Sequence, residues 1–174
     1  MMTSIDACAL PRESLLQRLA SEGAFTDCYT TQISRAVSQT QFVEAFYSTA
    51  VFGVERLILN WALGKASTLS EVKQLAAGAA DSFAAWKVEA RTANQLLLAD
   101  FKGRTRSWLM TEQSAETGQA ATQLFFGSAV MAVIDPTSGQ KSLGAGFQSM
   151  LWFHQLYSRV LLSAAKSRLL SQSE

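Results

Sequence analysis

Between Ser82 and Ile134 the chain carries four apolar-rich stretches, residues 82–91, 95–101, 105–112 and 122–134. Turn signals at Ala93-Asn94, Lys102-Gly103 and Gly118 separate them. Connections this short join only antiparallel neighbours, because a parallel pair needs a crossover of a dozen or more residues. The first stretch shows the period directly: Ala84, Trp86, Val88 and Ala90 fall on one parity, Lys87, Glu89 and Arg91 on the other. That two-residue alternation marks a half-buried strand. An antiparallel meander is therefore the framework, and the rest of the chain has to cover it.

Upstream the period changes. Residues 12–20, behind Pro11, read as a short helix ending at Gly23, within an N-terminal arm over 1–24. Residues 25–35 (FTDCYTTQISR) are aromatic and β-branched and read as a first strand. Ser38 with Gln41, and Thr68 with Glu71, have capping-box spacing, so helices open at 38 and 68, the second closing at Gly78. A further helix is expected over 51–63. Downstream, residues 143–170 read as one long helix with Phe147, Met150, His154, Tyr157 and Leu161 recurring at intervals of three and four, and with Lys166 and Arg168 near its C-terminal end. No proline lies between Pro11 and Pro136 and no Gly/Ser-rich linker divides that span, so residues 25–174 are read as one domain.

Composition narrows the chemistry. The 174 residues are 48% hydrophobic, enough for a sizeable core. Only 17% are charged, and 15 basic against 14 acidic side chains give a net charge of +1, which is no footprint for nucleic acid. One histidine and two cysteines do not make a His/Cys zinc site, a Cys-His-Asn protease or a disulfide scaffold. No metal and no cofactor are expected; Gly144 and Gly146 lack the spacing of a dinucleotide fingerprint. Asp6, Arg12 and Glu13 interrupt the first twenty residues, so no signal peptide is read there. The apolar block at 124–134 is too short to span a bilayer as a helix, and a cytoplasmic location is expected.

The order strand, helices, antiparallel strands, long C-terminal helix is an α+β layout. With FAAWKVEAR, RTRSWL and FHQLYSRVLLSAA in their places, residues 25–169 resemble the helix-grip superfamily of START-like, polyketide-cyclase-like and plant-allergen-like proteins. Five strands are legible where that superfamily usually has seven. The resemblance implies a curved antiparallel sheet wrapped around the C-terminal helix and an apolar cavity between them. Functions in the superfamily range from lipid carriage to cyclase-type catalysis, with no general catalytic set to carry over.

Turns at Lys102-Gly103 and Ala93-Asn94 define a register. The first pairs Ala99 with Arg106 and Leu97 with Trp108; the second pairs Ala90 with Leu97, Val88 with Ala99 and Trp86 with Phe101. One face then collects Trp86, Phe101, Arg106 and Trp108, and a one-residue slip in either turn would swap the faces. Arg106 on such a face suits an acidic ligand head group, since its planar fork matches carboxylate or phosphate. The alternative is an internal ion pair with Glu55, Glu89 or Asp100, or a side chain snorkelling at the cavity rim. Met150, His154 and Tyr157 complete the candidate ligand-binding set from the long helix. His154 and Tyr157 are also the catalytic candidates, as an acid and base working near neutral pH, against an interior histidine hydrogen-bonded to Tyr157 or a backbone carbonyl.

Three functions remain open. The first is a binding protein for a small hydrophobic or amphipathic ligand held between sheet and helix, with Arg106 at the polar end. The second is an enzyme of cyclase, hydratase or hydrolase type using His154 and Tyr157. The third is a homodimeric interaction protein without a ligand.

Overall fold

The computed structural model describes residues 4–49, 68–116, 119–134, 141–143 and 147–172, and the side chains of these except at 115, 116, 119, 133, 134, 141, 142 and 147–153. The helix expected over 51–63, and with it Glu55, lies outside the described residues.

The fold is α+β, a curved, open seven-strand antiparallel sheet with a long C-terminal helix packed against it, as expected. Along the chain come β1 (Asp6–Ala7), α1 (Gln17–Ser21), β2 (Phe25–Ile33), α2 (Gln39–Tyr47) and α3 (Leu69–Ala76). Then follow β3 (Ser82–Phe83), β4 (Trp86–Arg91), β5 (Gln95–Asp100), β6 (Thr105–Glu116), β7 (Gln119–Val130), a small pair β8 (Val133–Ile134) and β9 (Lys141–Ser142), and α4 (Phe147–Ser171). The sheet runs β1-β2-β7-β6-β5-β4-β3. The two strands beyond the five legible in the sequence are β1 and β3, each only two residues long.

Local signals place the helices. Ser38 accepts a hydrogen bond from the Gln41 amide while the Gln41 side chain accepts one from the Ser38 amide, and Thr68 and Glu71 do the same at α3. Each box satisfies two otherwise orphaned amides at the helix start. Gly78, just past α3, sits at φ +77°. The conformation there is left-handed, which a side chain would strain.

The meander departs from expectation at three points, the first being that the strand read over 122–134 ends at Val130, with Val133 and Ile134 pairing with β9 in a separate sheet. Residues 82–91 are not one strand: the chain turns at Ala84 (φ 52°) and doubles back, so β3 pairs with β4. A β-bulge between Val88 and Ala90 then shifts the register. Ala90 still opposes Leu97, as the turn predicts, but Val88 opposes Leu98 and Trp86 opposes Asp100. The Lys102-Gly103 hairpin keeps its expected pairs, Ala99 with Arg106 and Leu97 with Trp108. One inserted residue therefore sends Trp86 and Val88 to one face of the sheet and leaves Arg106 and Trp108 on the other.

Both faces are covered. On the inner face Tyr29, Ile33, Leu96, Leu98, Leu109, Leu124 and Phe126 pack under α2, α3 and α4, whose buried side chains include Phe42, Phe46, Leu75, Leu161, Leu162 and Leu169. On the outer face Cys28, Leu97, Trp108, Met110, Phe125 and Ala129 pack under Leu16 and Leu19 of the N-terminal arm. Each such side chain fully withdrawn from water contributes about 1.5–3 kcal/mol. Gln95, 4% exposed, ties this second core together. Its Oε1 accepts from the Leu15 amide (3.0 Å) and from Trp108 Nε1 (2.9 Å), and its Nε2 donates to the Glu13 carbonyl (3.0 Å).

Candidate functional site

Strand parity carries a polar row across the inner face. Asp27 on β2 opposes Ser128 on β7, and Ser128 opposes Ser107 on β6. From the helical layer Tyr47 of α2 brings its hydroxyl to 2.8 Å from Ser107 Oγ, and His154 of α4 brings Nε2 to 2.8 Å from Ser128 Oγ. The row below is Tyr29, Phe126 and Leu109, apolar and buried. The polar side chains thus mark a boundary: on the side of Tyr29, the sheet–helix space is filled by Phe46, Leu161, Leu162, Ala165 and Leu169.

The geometry fixes where the protons lie. Asp27 Oδ1 accepts from Ser128 Oγ (2.6 Å) and from the Ser128 amide (3.0 Å), while Oδ2 is 3.2 Å from His154 Nε2. A carboxylate only accepts, so the single Ser128 hydroxyl proton goes to Asp27, and His154 Nε2 carries the hydrogen that points at Ser128 Oγ. In a nucleophilic relay the serine donates to histidine, and the carboxylate holds the opposite ring nitrogen. Here serine and carboxylate meet the same nitrogen. The hydrogen bonds run from His154 to Ser128 to Asp27, the reverse of the direction that would withdraw a proton from Ser128.

Asp27 is nearly buried at 10% side-chain exposure and His154 is partly open at 31%. The next residue inward on β2, Tyr29, titrates above the ordinary tyrosine range, first because it is buried and then because the Asp27 charge opposes the phenolate. The Arg159 guanidinium, 5.4 Å over the Tyr29 ring, acts in the opposite sense.

The residues singled out in the sequence are dispersed. Trp86 lies on the inner face near the sheet end, packed against the main core, its Nε1 buried and meeting no acceptor among the described residues. Phe101 is 55% exposed in the β5–β6 turn, beneath the Lys102 ammonium. Trp108 is fully buried on the outer face, under the arm. Arg106, also on the outer face, is committed to the protein: Nε donates to Glu89 Oε2 at 2.8 Å and Nη1 donates to the Gly103 carbonyl. The ion pair with Glu89 anticipated as the alternative is the arrangement found, and the single face joining Trp86, Phe101, Arg106 and Trp108 is corrected by the bulge. Met150 belongs to α4, but its side chain is outside the described residues. Tyr157 packs against the main core, one turn from His154.

Asp27, Ser128, Ser107 and Tyr47 carry no motif. Their signal is parity: Asp27 alternates with Phe25, Tyr29 and Ile33, and Ser128 with Leu124 and Phe126. A polar residue on an apolar parity is the informative observation in a strand. Elsewhere a shallow groove of about 160 Å³ lies beside Gln39, Ala76 and Thr92, where Arg91 spends its guanidinium on the Leu75 and Ala80 carbonyls. Among the described residues no three His, Cys, Asp or Glu side chains gather as a metal ion would require, and no helix is long and apolar enough to cross a membrane.

Compared with protein-family models, curated proteins and solved structures, the chain finds no match in any of the three.

Proposed function

We propose that the chain is a binding protein for a small hydrophobic or amphipathic molecule seated between the sheet and the C-terminal helix, its polar end against Asp27, Ser128 and His154. The observation that carries this reading is the polar row itself: Asp27, Ser128 and Ser107 stand side by side on an otherwise apolar wall, with His154 partly open beside them. Buried polar groups on such a wall need partners, and they orient a ligand that supplies one. The helix-grip likeness of the layout supports the same reading. Arg106 is held by Glu89 on the opposite face, so it does not supply the polar end of this seat. Asp27 Oδ2, which meets no donor among the described residues, suits a neutral group that gives a hydrogen bond, such as a hydroxyl or an amide.

Native mass spectrometry of protein isolated from its own host tests this. A species heavier than the polypeptide, released on unfolding, is expected, and His154→Leu should retain about tenfold less, the equivalent of one hydrogen bond. Uptake of the uncharged apolar dye Nile red by the emptied protein provides a second readout. A bare polypeptide that also takes up no dye overturns the reading.

A further inference from the structure

Two thiols stand together on the outer face, away from the polar row. Cys8 follows β1 and directly opposes Cys28 on β2: Ala7 pairs with Tyr29, and the Cys8 amide donates to the Cys28 carbonyl at 3.0 Å. The Sγ atoms are 3.2 Å apart. Directly opposed antiparallel residues have Cα atoms about 4.5–5.5 Å apart, inside the roughly 4.4–6.8 Å span a disulfide accepts. The bond can therefore form by side-chain rotation, with the ladder left in place.

We propose that Cys8 and Cys28 form a reversible dithiol–disulfide pair that exchanges with small-molecule disulfides and, when oxidised, locks the N-terminal arm to β2. The two cysteines have different roles. Cys8 is partly exposed and Cys28 is 4% exposed, so Cys8 is the thiol that a reagent reaches. In the thiol form Cys8 donates to Cys28; once Cys8 ionises, the Cys28 thiol becomes the donor, which draws Cys8 below the ordinary range, and the thiolate is the attacking species. Cys28 is pushed up, first by its hydrogen bond with Cys8, then by burial and by the negative charges of Cys8 and Asp27.

The exchange balances in two steps. The Cys8 thiolate attacks one sulfur of oxidised glutathione, forming the Cys8–glutathione bond, breaking the glutathione S–S bond and expelling a glutathione thiolate. That step removes the Cys8 charge and the hydrogen bond that held the proton on Cys28. Cys28 then loses its proton to solvent and attacks Cys8 Sγ, forming the Cys8–Cys28 bond and expelling a second glutathione thiolate. Two protein thiols are oxidised and one glutathione disulfide is reduced to two thiols.

The product closes a loop between positions 20 apart in sequence. A crosslink of that length raises the melting temperature by roughly 6–12 °C in a chain of this size. The arm it fastens carries Leu16 and Leu19, which cover Trp108 and Phe125.

The test is incubation of the full chain with oxidised glutathione, acid quenching, alkylation and intact-mass analysis. Expected are a monomer two hydrogens lighter with neither cysteine alkylated, a Cys8–Cys28 linked peptide after proteolysis, recovery of both thiols with dithiothreitol, and the rise in melting temperature. Cys28→Ser should stop at a glutathione adduct on Cys8, while Cys8→Ser should react at least tenfold more slowly. A wild-type chain that accumulates the Cys8 adduct unresolved, links only between molecules, or keeps both thiols alkylatable overturns the proposal. The wild-type result decides the matter even where a variant fails to fold, since it needs no substitution.

Discussion

Gly127 lies on β7 between Cys28 and Trp108, and a β-carbon built there would stand 2.8 Å from the Asp27 carbonyl oxygen, 2.9 Å from Leu16 Cδ1 and 2.9 Å from Trp108 Cε3. Carbon atoms in contact prefer about 3.5–4.0 Å, so each neighbour has to retreat by roughly 0.5–1 Å. None can do so freely. The Asp27 carbonyl belongs to the β2–β7 ladder; the Trp108 indole is fully buried and hydrogen-bonded to Gln95; Leu16 is fully buried. Overpacking of this kind costs about 1–3 kcal/mol, and three stiff contacts place Gly127→Ala near the top of that range. The loss of unfolded-chain freedom on replacing glycine offsets about 0.4–1 kcal/mol. The net expectation is destabilisation by about 2 kcal/mol and a melting temperature lower by roughly 4–8 °C. Urea titration followed by circular dichroism measures it. Combined with Leu16→Ala, which removes one obstacle, the double variant should be less destabilised than the two single changes added together, by about 0.5 kcal/mol or more. A Gly127→Ala protein as stable as wild type would refute the packing of the arm against β7 described above.

Two further outcomes follow from the charges. Tyr29 titrates above its ordinary value of 10.0, so its contribution to stability is complete below that pH and is lost as pH rises through the folded value. Tyr29→Phe should flatten the alkaline fall, measured as the difference from wild type because the desolvated Lys166 acts with the opposite sign below its own ordinary value of 10.5; superimposable alkaline profiles would sink the assignment. Glu89 bridges Arg106 and Arg18 at the bulge, at 2.8 and 2.9 Å, and Glu89→Gln should lower stability by about 1 kcal/mol at low salt, with the deficit shrinking as salt is added. An unchanged urea midpoint at low salt would show that the bridge contributes nothing.

What the sequence discloses is what is settled locally. The capping boxes at Ser38 and Thr68 and the turn at Lys102-Gly103 depend on residues three or four apart, and each stands where the pattern places it. The bulge does not, because nothing in WKVEAR distinguishes a straight strand from one with an inserted residue. Glu89 reaches the outer face to meet Arg106, 17 positions away, at the bulge where the parity of Trp86 and Val88 changes. The polar cluster is illegible for the same reason at longer range: Asp27 and Ser128 are 101 positions apart, and the alternation of β2 alone does not say which helix will bring a histidine over it. His154 on the apolar stripe of the long helix, like Asp27 and Ser128 on their apolar parities, is visible from its own neighbourhood, but their meeting is not.

The two-sided sheet has a consequence for the order in which the protein is made. Leu16 and Leu19 leave the ribosome about a hundred residues before Trp108, Phe125 and Ala129, against which they pack. At about 5–20 residues per second this interval lasts roughly 5–20 s, far longer than a loop or hairpin takes to close. During it, the arm can engage β2 and then Glu89 and Gln95 of β4 and β5, but not β6 or β7. The second core is therefore completed late in synthesis, and a chaperone that shields residues 10–20 would act on the nascent chain before β7 emerges.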